Sequence, residues 1–153
     1  MMISRTYDTD FIVQCVTEPS VWRMIADDGF SNPDLYFPPM SDSVYWFRAG
    51  DYGVFMLQPH NSVTYECHTV LLPIARGKSV GIAQLAVDWF FANYPCQRII
   101  TNVPDYNPLA LRLAKKVGFT EIGINEKSIL KNGVLHDQVL LGISKERWTI
   151  CQQ

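Results

Sequence analysis

Residues 71–83 read Leu-Leu-Pro-Ile-Ala-Arg-Gly-Lys-Ser-Val-Gly-Ile-Ala, an apolar strand end that passes through a short loop directly into a helix. Such a junction limits the chain to folds in which the helix packs back on the sheet. It also makes an anion site, because the first-turn N–H groups lack intrahelical acceptors and the peptide dipoles place roughly half a positive charge there. A pyrophosphate suits that position.

Two loop patterns fit Gly77-Lys78-Ser79. A nucleotide P-loop requires a Gly where Leu72 stands, so the backbone cannot make the tight wrap around phosphates that G-x-x-x-x-G-K-[ST] provides. The other pattern is R-x-x-G-x-G, running from Arg76 to Gly81 with Ser79 at the middle Gly position. Here the chain resembles the GNAT superfamily of N-acetyltransferases, whose loop is written [RQ]-x-x-G-x-[GA]. The family strand V-x-P-x-x-R-G is matched by Leu71, Pro73, Arg76 and Gly77. The family helix N-x-x-A-x-x-x-Y-x-x-x-G-F is matched by Asn107, Ala110, Gly118 and Phe119, with Ala114 in place of the Tyr. Some tailed-phage acetyltransferases have a similar Tyr-Glu-x-His strand, here Tyr65 to His68, and a similar Asp-Gln after the hairpin turn, which raises a phage or prophage origin.

The resemblance spans residues 62–146 and is topological before that. It implies an α/β fold, a single GNAT-like domain over residues 1–153, with a mixed central sheet of about six to seven strands flanked by about four helices. It further implies acetyl-CoA as co-substrate. Backbone amides from Gly77 through Lys78, Ser79 and Val80 to Gly81 would meet the diphosphate, behind Arg76. The strand segment Thr69, Val70, Leu71 and Leu72 would pair with pantetheine, and Asn107 would bond the same arm. Asn107 also reads as a plain helix N-cap before Pro108. Lys78, Lys115 and Lys116 are candidates for the adenosine phosphates or are simply solvated.

Composition agrees with one globular domain: 48% of the 153 residues are hydrophobic and 18% charged. Thirteen basic and fifteen acidic residues leave a net charge of −2, which gives no support to nucleic acid or an anionic membrane as partner. The polar start of the chain and the lack of a long apolar run lead us to expect a cytoplasmic protein. Cys15, Cys67, Cys96 and Cys151 form no C-x-x-C pair and do not cluster with His60, His68 or His136, so no metal site is expected.

Periodicity predicts a strand near residues 2–6, helices at 9–16 and 20–26, and a Pro- and aromatic-rich loop at 30–40. A hairpin at 44–57, a strand at 64–72, a helix at 78–93 and a strand at 98–103 follow. A helix at 107–117 and a hairpin of 120–130 and 134–144 through Asn132-Gly133 complete the pattern. In the 64–72 strand, Tyr65, Cys67, Thr69 and Leu71 share one face, and Glu66, His68, Val70 and Leu72 the other. A bulge would exchange them.

Direct acyl transfer to an amine needs a base, an oxyanion donor and an exit for the thiolate. The candidate bases are Glu66, His68 and Tyr65, and each also has a structural reading as a satisfied strand residue. The resemblance would have a Tyr protonate the thiolate where Ala114 stands, and Tyr106 is the nearest substitute in sequence. Cys67 as acylated nucleophile lacks an identifiable relay. Three functions follow: an acetyl-CoA-dependent N-acetyltransferase acting on an amine-bearing small molecule or protein; a GNAT-fold CoA-binding or interaction module that has lost turnover; and, weakest, a P-loop enzyme. Trp148 and Ile150 are candidates for burial in a second copy, making a homodimer one expectation.

Overall fold

A computed structural model describes residues 2–151, and these form a seven-stranded sheet covered by helices on both faces. The elements are β1 Ile3–Arg5, α1 Thr9–Val16, α2 Pro19–Ile25, β2 Tyr45–Ala49, β3 Gly53–Pro59 and β4 Thr64–Leu71, then α3 Ser79–Asn93, β5 Arg98–Pro104, α4 Pro108–Val117, β6 Thr120–Lys131, β7 Val134–Ser144 and α5 Lys145–Cys151. The strand order is β1-β2-β3-β4-β5-β7-β6, and β4–β5 is its one parallel pair. That makes the expected α/β architecture with a mixed sheet, and five helices instead of about four.

Helix boundaries follow local chemistry. Asp8 caps α1 by accepting from Phe11 N at 3.1 Å, Glu18 caps α2 ahead of Pro19, and Asn107 caps α4 ahead of Pro108. Gly118, at φ +127°, ends α4 and accommodates the reversal a side chain would resist. The core divides by sheet face. Phe47, Phe55, Leu57, Tyr65 and Cys67 pack against α3, whereas Trp46, Val54 and Val70 pack against α1. The fifth helix corrects one expectation. Trp148 is buried in its own domain, beside Phe91 and with Nε1 donating to Asp88 Oδ1 at 3.1 Å, so it is not held in reserve for a partner.

The β3–β4 ladder is continuous from Gly53–Leu71 to Pro59–Tyr65, so no bulge exchanges the faces of β4. Gly53 permits this close pairing: a Cβ there would overlap the Val70 carbonyl oxygen and lie 2.9 Å from Leu71 Cα. We therefore expect Gly53→Ala to lower stability by about 3 kcal/mol in urea denaturation, since rigid backbone must shift to admit it.

The feature that positions the site is a parting of strands. β4 pairs with β5 only at Thr64–Arg98, Tyr65–Ile99 and Glu66–Ile100. Beyond that point β4 stays with β3 and β5 stays with β7 out to Pro104–Gln138. A wedge opens in mid-sheet, and the edge of β4 from Cys67 to Leu71 loses its partner on that side.

Candidate active site

Two connected hollows meet at this wedge. A cleft of about 620 Å³ passes between the strands, with His68 and Val70 from one face of β4, Cys67 and Thr69 from the other, and Asn107 and Ala114 from the α4 side. A groove of about 460 Å³ runs from Thr69 through Leu72 to Arg76, Gly77, Ser79 and Val80, and it shares Thr69, Val70 and Asn107 with the cleft.

At the head of the groove, α3 differs from α1, α2 and α4 in having no side-chain cap. Lys78 N–H is used internally, on Ala75 O at 2.9 Å. The amides of Gly77, Ser79, Val80 and Gly81 have no protein acceptor among the described residues, and Gly77 sits at φ +81° with open space around it. Four unfulfilled donors at the positive end of a 15-residue helix form a nest for an anion. Arg76, Arg112 and Lys116 also border the groove. Lys78 does not: its Nζ donates to Tyr52 OH at 3.1 Å, and Lys115 pairs with Glu121 at 2.8 Å.

At the parting of β4 and β5, a carboxylate stands between two imidazoles. Glu66 Oε1 accepts from His60 Nε2 at 3.0 Å, and Oε2 accepts from His68 Nε2. An ionised carboxylate can only accept, so each of these Nε2 atoms donates, and His68 also lines the cleft. The His68 hydrogen bond holds the Glu66 carboxyl below its ordinary value of 4.5, against the opposing effect of burial and with further help from the charges of His68 and His60. The sign of the pH effect follows: a depressed folded pKa contributes stability that is full above 4.5 and lost as pH falls below it through the folded value. Glu66→Gln should therefore flatten the acid limb of the stability curve, as urea melts between pH 3 and 7 will show.

Tyr65 is not brought to the cleft. It lies 6% exposed in the core, its ring 6.0 Å from that of Tyr94, with burial pushing the phenol up. Tyr106 is likewise engaged elsewhere, donating its hydroxyl to Ala26 O at 3.0 Å. Asn107 accepts from Ala110 N at 3.3 Å and borders both hollows, so its capping role leaves it in the lining of each. Cys67 has a buried thiol pushed up to about 12 and is not a thiolate at neutral pH. His60 was not singled out as a catalytic candidate. Its signal was the hairpin register, which sets Gln58 opposite Glu66 and brings even-numbered positions of β3 and the turn to the Glu66 face.

No protein-family model matches the chain. Comparison with solved structures defines the class by fold: this is the GNAT fold of N-acetyltransferases. The chain is similar to spermidine N-acetyltransferase from Vibrio cholerae in complex with CoA and spermine, with a TM-score of 0.77 and 17% identity over 97% of each chain. It is similar to a putative phosphinothricin N-acetyltransferase, with a TM-score of 0.71 and 19% identity over 94% of this chain and 97% of the other. A GNAT-family acetyltransferase from Bacillus anthracis matches at a TM-score of 0.58 and 22% identity, over 68% of this chain and 67% of that one.

Proposed function

We propose that the protein transfers the acetyl group of acetyl-CoA to an amine by direct attack. The observation that carries this reading is the uncapped head of α3, with four free amides, opening onto the unpartnered edge of β4. The diphosphate would lie on the amides of Gly77, Ser79, Val80 and Gly81 near Arg76, and pantetheine along Thr69 to Leu72 toward Asn107. The Vibrio cholerae relative, with CoA and spermine in its structure, supports both the co-substrate and an amine acceptor.

His68 takes the proton from the incoming ammonium at Nδ1, while Glu66 holds the ring in that tautomer and His60 secures the second carboxylate oxygen. The free amine attacks the thioester carbonyl, a C–N bond forms, and an N–H on the β4 edge stabilises the oxyanion; such a donor contributes about 3 kcal/mol. Collapse breaks the C–S bond. Ala114 offers no proton, so CoA leaves as thiolate, and the second proton of the amine nitrogen, lost as the amide forms, passes through water in the open groove to the departing sulfur.

Calorimetry with CoA and thiol release with an amine panel test this directly. Micromolar uptake is expected, and a folded protein with no uptake overturns the proposal. A second reading is favoured by Ala114 and by the commitment of Tyr106 to Ala26: a CoA-binding or interaction module without turnover. Uptake without thiol release from any amine would establish it. We propose in addition a phage or prophage source, a cytoplasmic location and a homodimer; no helix among the described residues is long and apolar enough to cross a membrane.

A further inference from the structure

The wall of the cleft on the α2 side is built mainly from rings. Trp22 and Tyr36 meet edge to face at 5.8 Å, Trp46 forms part of the base, and Phe30 and Phe37 ring the mouth at 65% and 69% exposure. Charge is scarce there. Among the described residues the lining holds one carboxylate, Asp27, one imidazole, His68, and neither Lys nor Arg. Asp27 Oδ1 accepts from Gly29 N at 2.7 Å, which leaves Oδ2 without a protein partner among the described residues.

Two parts of the cleft's lining, Ala26 and Asp27 on one side and Ile129 on the other, adjoin a fixed tie. Asp28 accepts from the amides of Asn132 and Gly133 at 2.8 and 2.9 Å, tying the segment after α2 to the tip of the β6–β7 hairpin. Lys131 Nζ reinforces the tie by donating to Ala26 O at 2.7 Å and Arg23 O at 3.1 Å. A cleft whose edges are fixed relative to each other in this way favours a small molecule over an extended peptide.

From these observations we propose that the acceptor is a small monoamine on an apolar, ring-bearing body without a carboxylate, its ammonium drawn to Asp27 and its body held among the rings. This rests on the acetyltransferase reading of the same cleft. A polyamine would bring further ammonium groups into walls with no second carboxylate, and each would lose hydration without compensation. An α-amino acid would bring its carboxylate into a lining that holds no Arg or Lys, the nearby Lys131 being engaged on the carbonyls of Ala26 and Arg23. A single ammonium meets the opposite condition, because aromatic faces and one carboxylate both attract it.

The test is quenching of tryptophan fluorescence in the intact protein by 2-phenylethylamine, phenylalanine, spermidine and a phenylalanyl dipeptide amide, alongside a separate CoA titration. We expect 2-phenylethylamine to bind about 30-fold more tightly than phenylalanine or spermidine. Asp27→Asn, which keeps an oxygen for Gly29 N–H, should weaken that binding about 10-fold with CoA uptake unchanged. Phe30→Ala, at an exposed rim position, should weaken 2-phenylethylamine more than spermidine. Equal or tighter binding of phenylalanine, spermidine or the dipeptide overturns the inference, as does no amine binding or silence of both variants. Amine binding in a protein that takes up no CoA leaves the inference standing and removes the acetyl-transfer reading instead.

Discussion

Ser79→Asp should remove coenzyme A binding from a protein that stays folded. The residue begins α3, where a carboxylate favours the dipole and should add about 0.5 kcal/mol to stability. The same carboxylate would face an incoming diphosphate. At about 5 Å and an effective dielectric near 20, repulsion between a unit charge and a dianion is several kcal/mol, enough to lower affinity at least about 100-fold. The two effects have opposite signs, which separates anion recognition from general damage. Thermal melting should show an unchanged or slightly raised midpoint, and calorimetry should show little or no CoA uptake. Retained micromolar affinity would mean that the free amides of Gly77 to Gly81 hold something else, and the proposed co-substrate would fall with them.

Turnover should depend most on the histidine that faces the wedge. We expect His68→Ala to lower kcat about 10³-fold with CoA affinity unchanged, in the range a positioned base contributes. Glu66→Gln tests the positioning role separately. The amide keeps an oxygen for one imidazole but loses the negative charge, so the orientation of His68 weakens and kcat should fall about 10-fold. The loss should appear in kcat with CoA affinity unchanged, and the conservative Glu66→Asp should restore part of it. A purely structural Glu66 would lower stability and leave the kcat of the folded enzyme in place. A His68→Ala enzyme with full activity would move the base elsewhere in the cleft and revive the question that Tyr65, buried against Tyr94, does not answer.

Much of this architecture was legible because local rules and the fold agree. The period-two alternation of residues 64–72 assigned Glu66 and His68 to one face, and the unbroken β3–β4 ladder keeps them there. Asn132-Gly133 marked the hairpin through its need for positive φ, observed at +52° and +76°. Asn107 and Pro108 marked the start of α4. What sequence could not supply depends on distant partners. Nothing in residues 64–71 shows that β5 leaves after Ile100 to follow β7, yet that departure makes the wedge. The segment after α2 gave no sign that it would be tied to the hairpin tip, because the bonds that hold it are formed with residues about a hundred positions away. Tyr106 was close to the site in sequence, and a bond to Ala26 turns its hydroxyl to another task.

The tie between Asp28 and the hairpin tip links the separation of Asp27 and Ile129, both in the cleft lining, to a two-residue turn. Each Asp28 oxygen accepts one turn amide, so a longer turn would move those amides and widen the cleft between Asp27 and Ile129 without altering the parting of β4 and β5. Selection for bulkier acceptors, in nature or in the laboratory, therefore has a cheap route through residues 131–133. Selection acting on the β4 edge would disturb the chemistry and the acceptor range together.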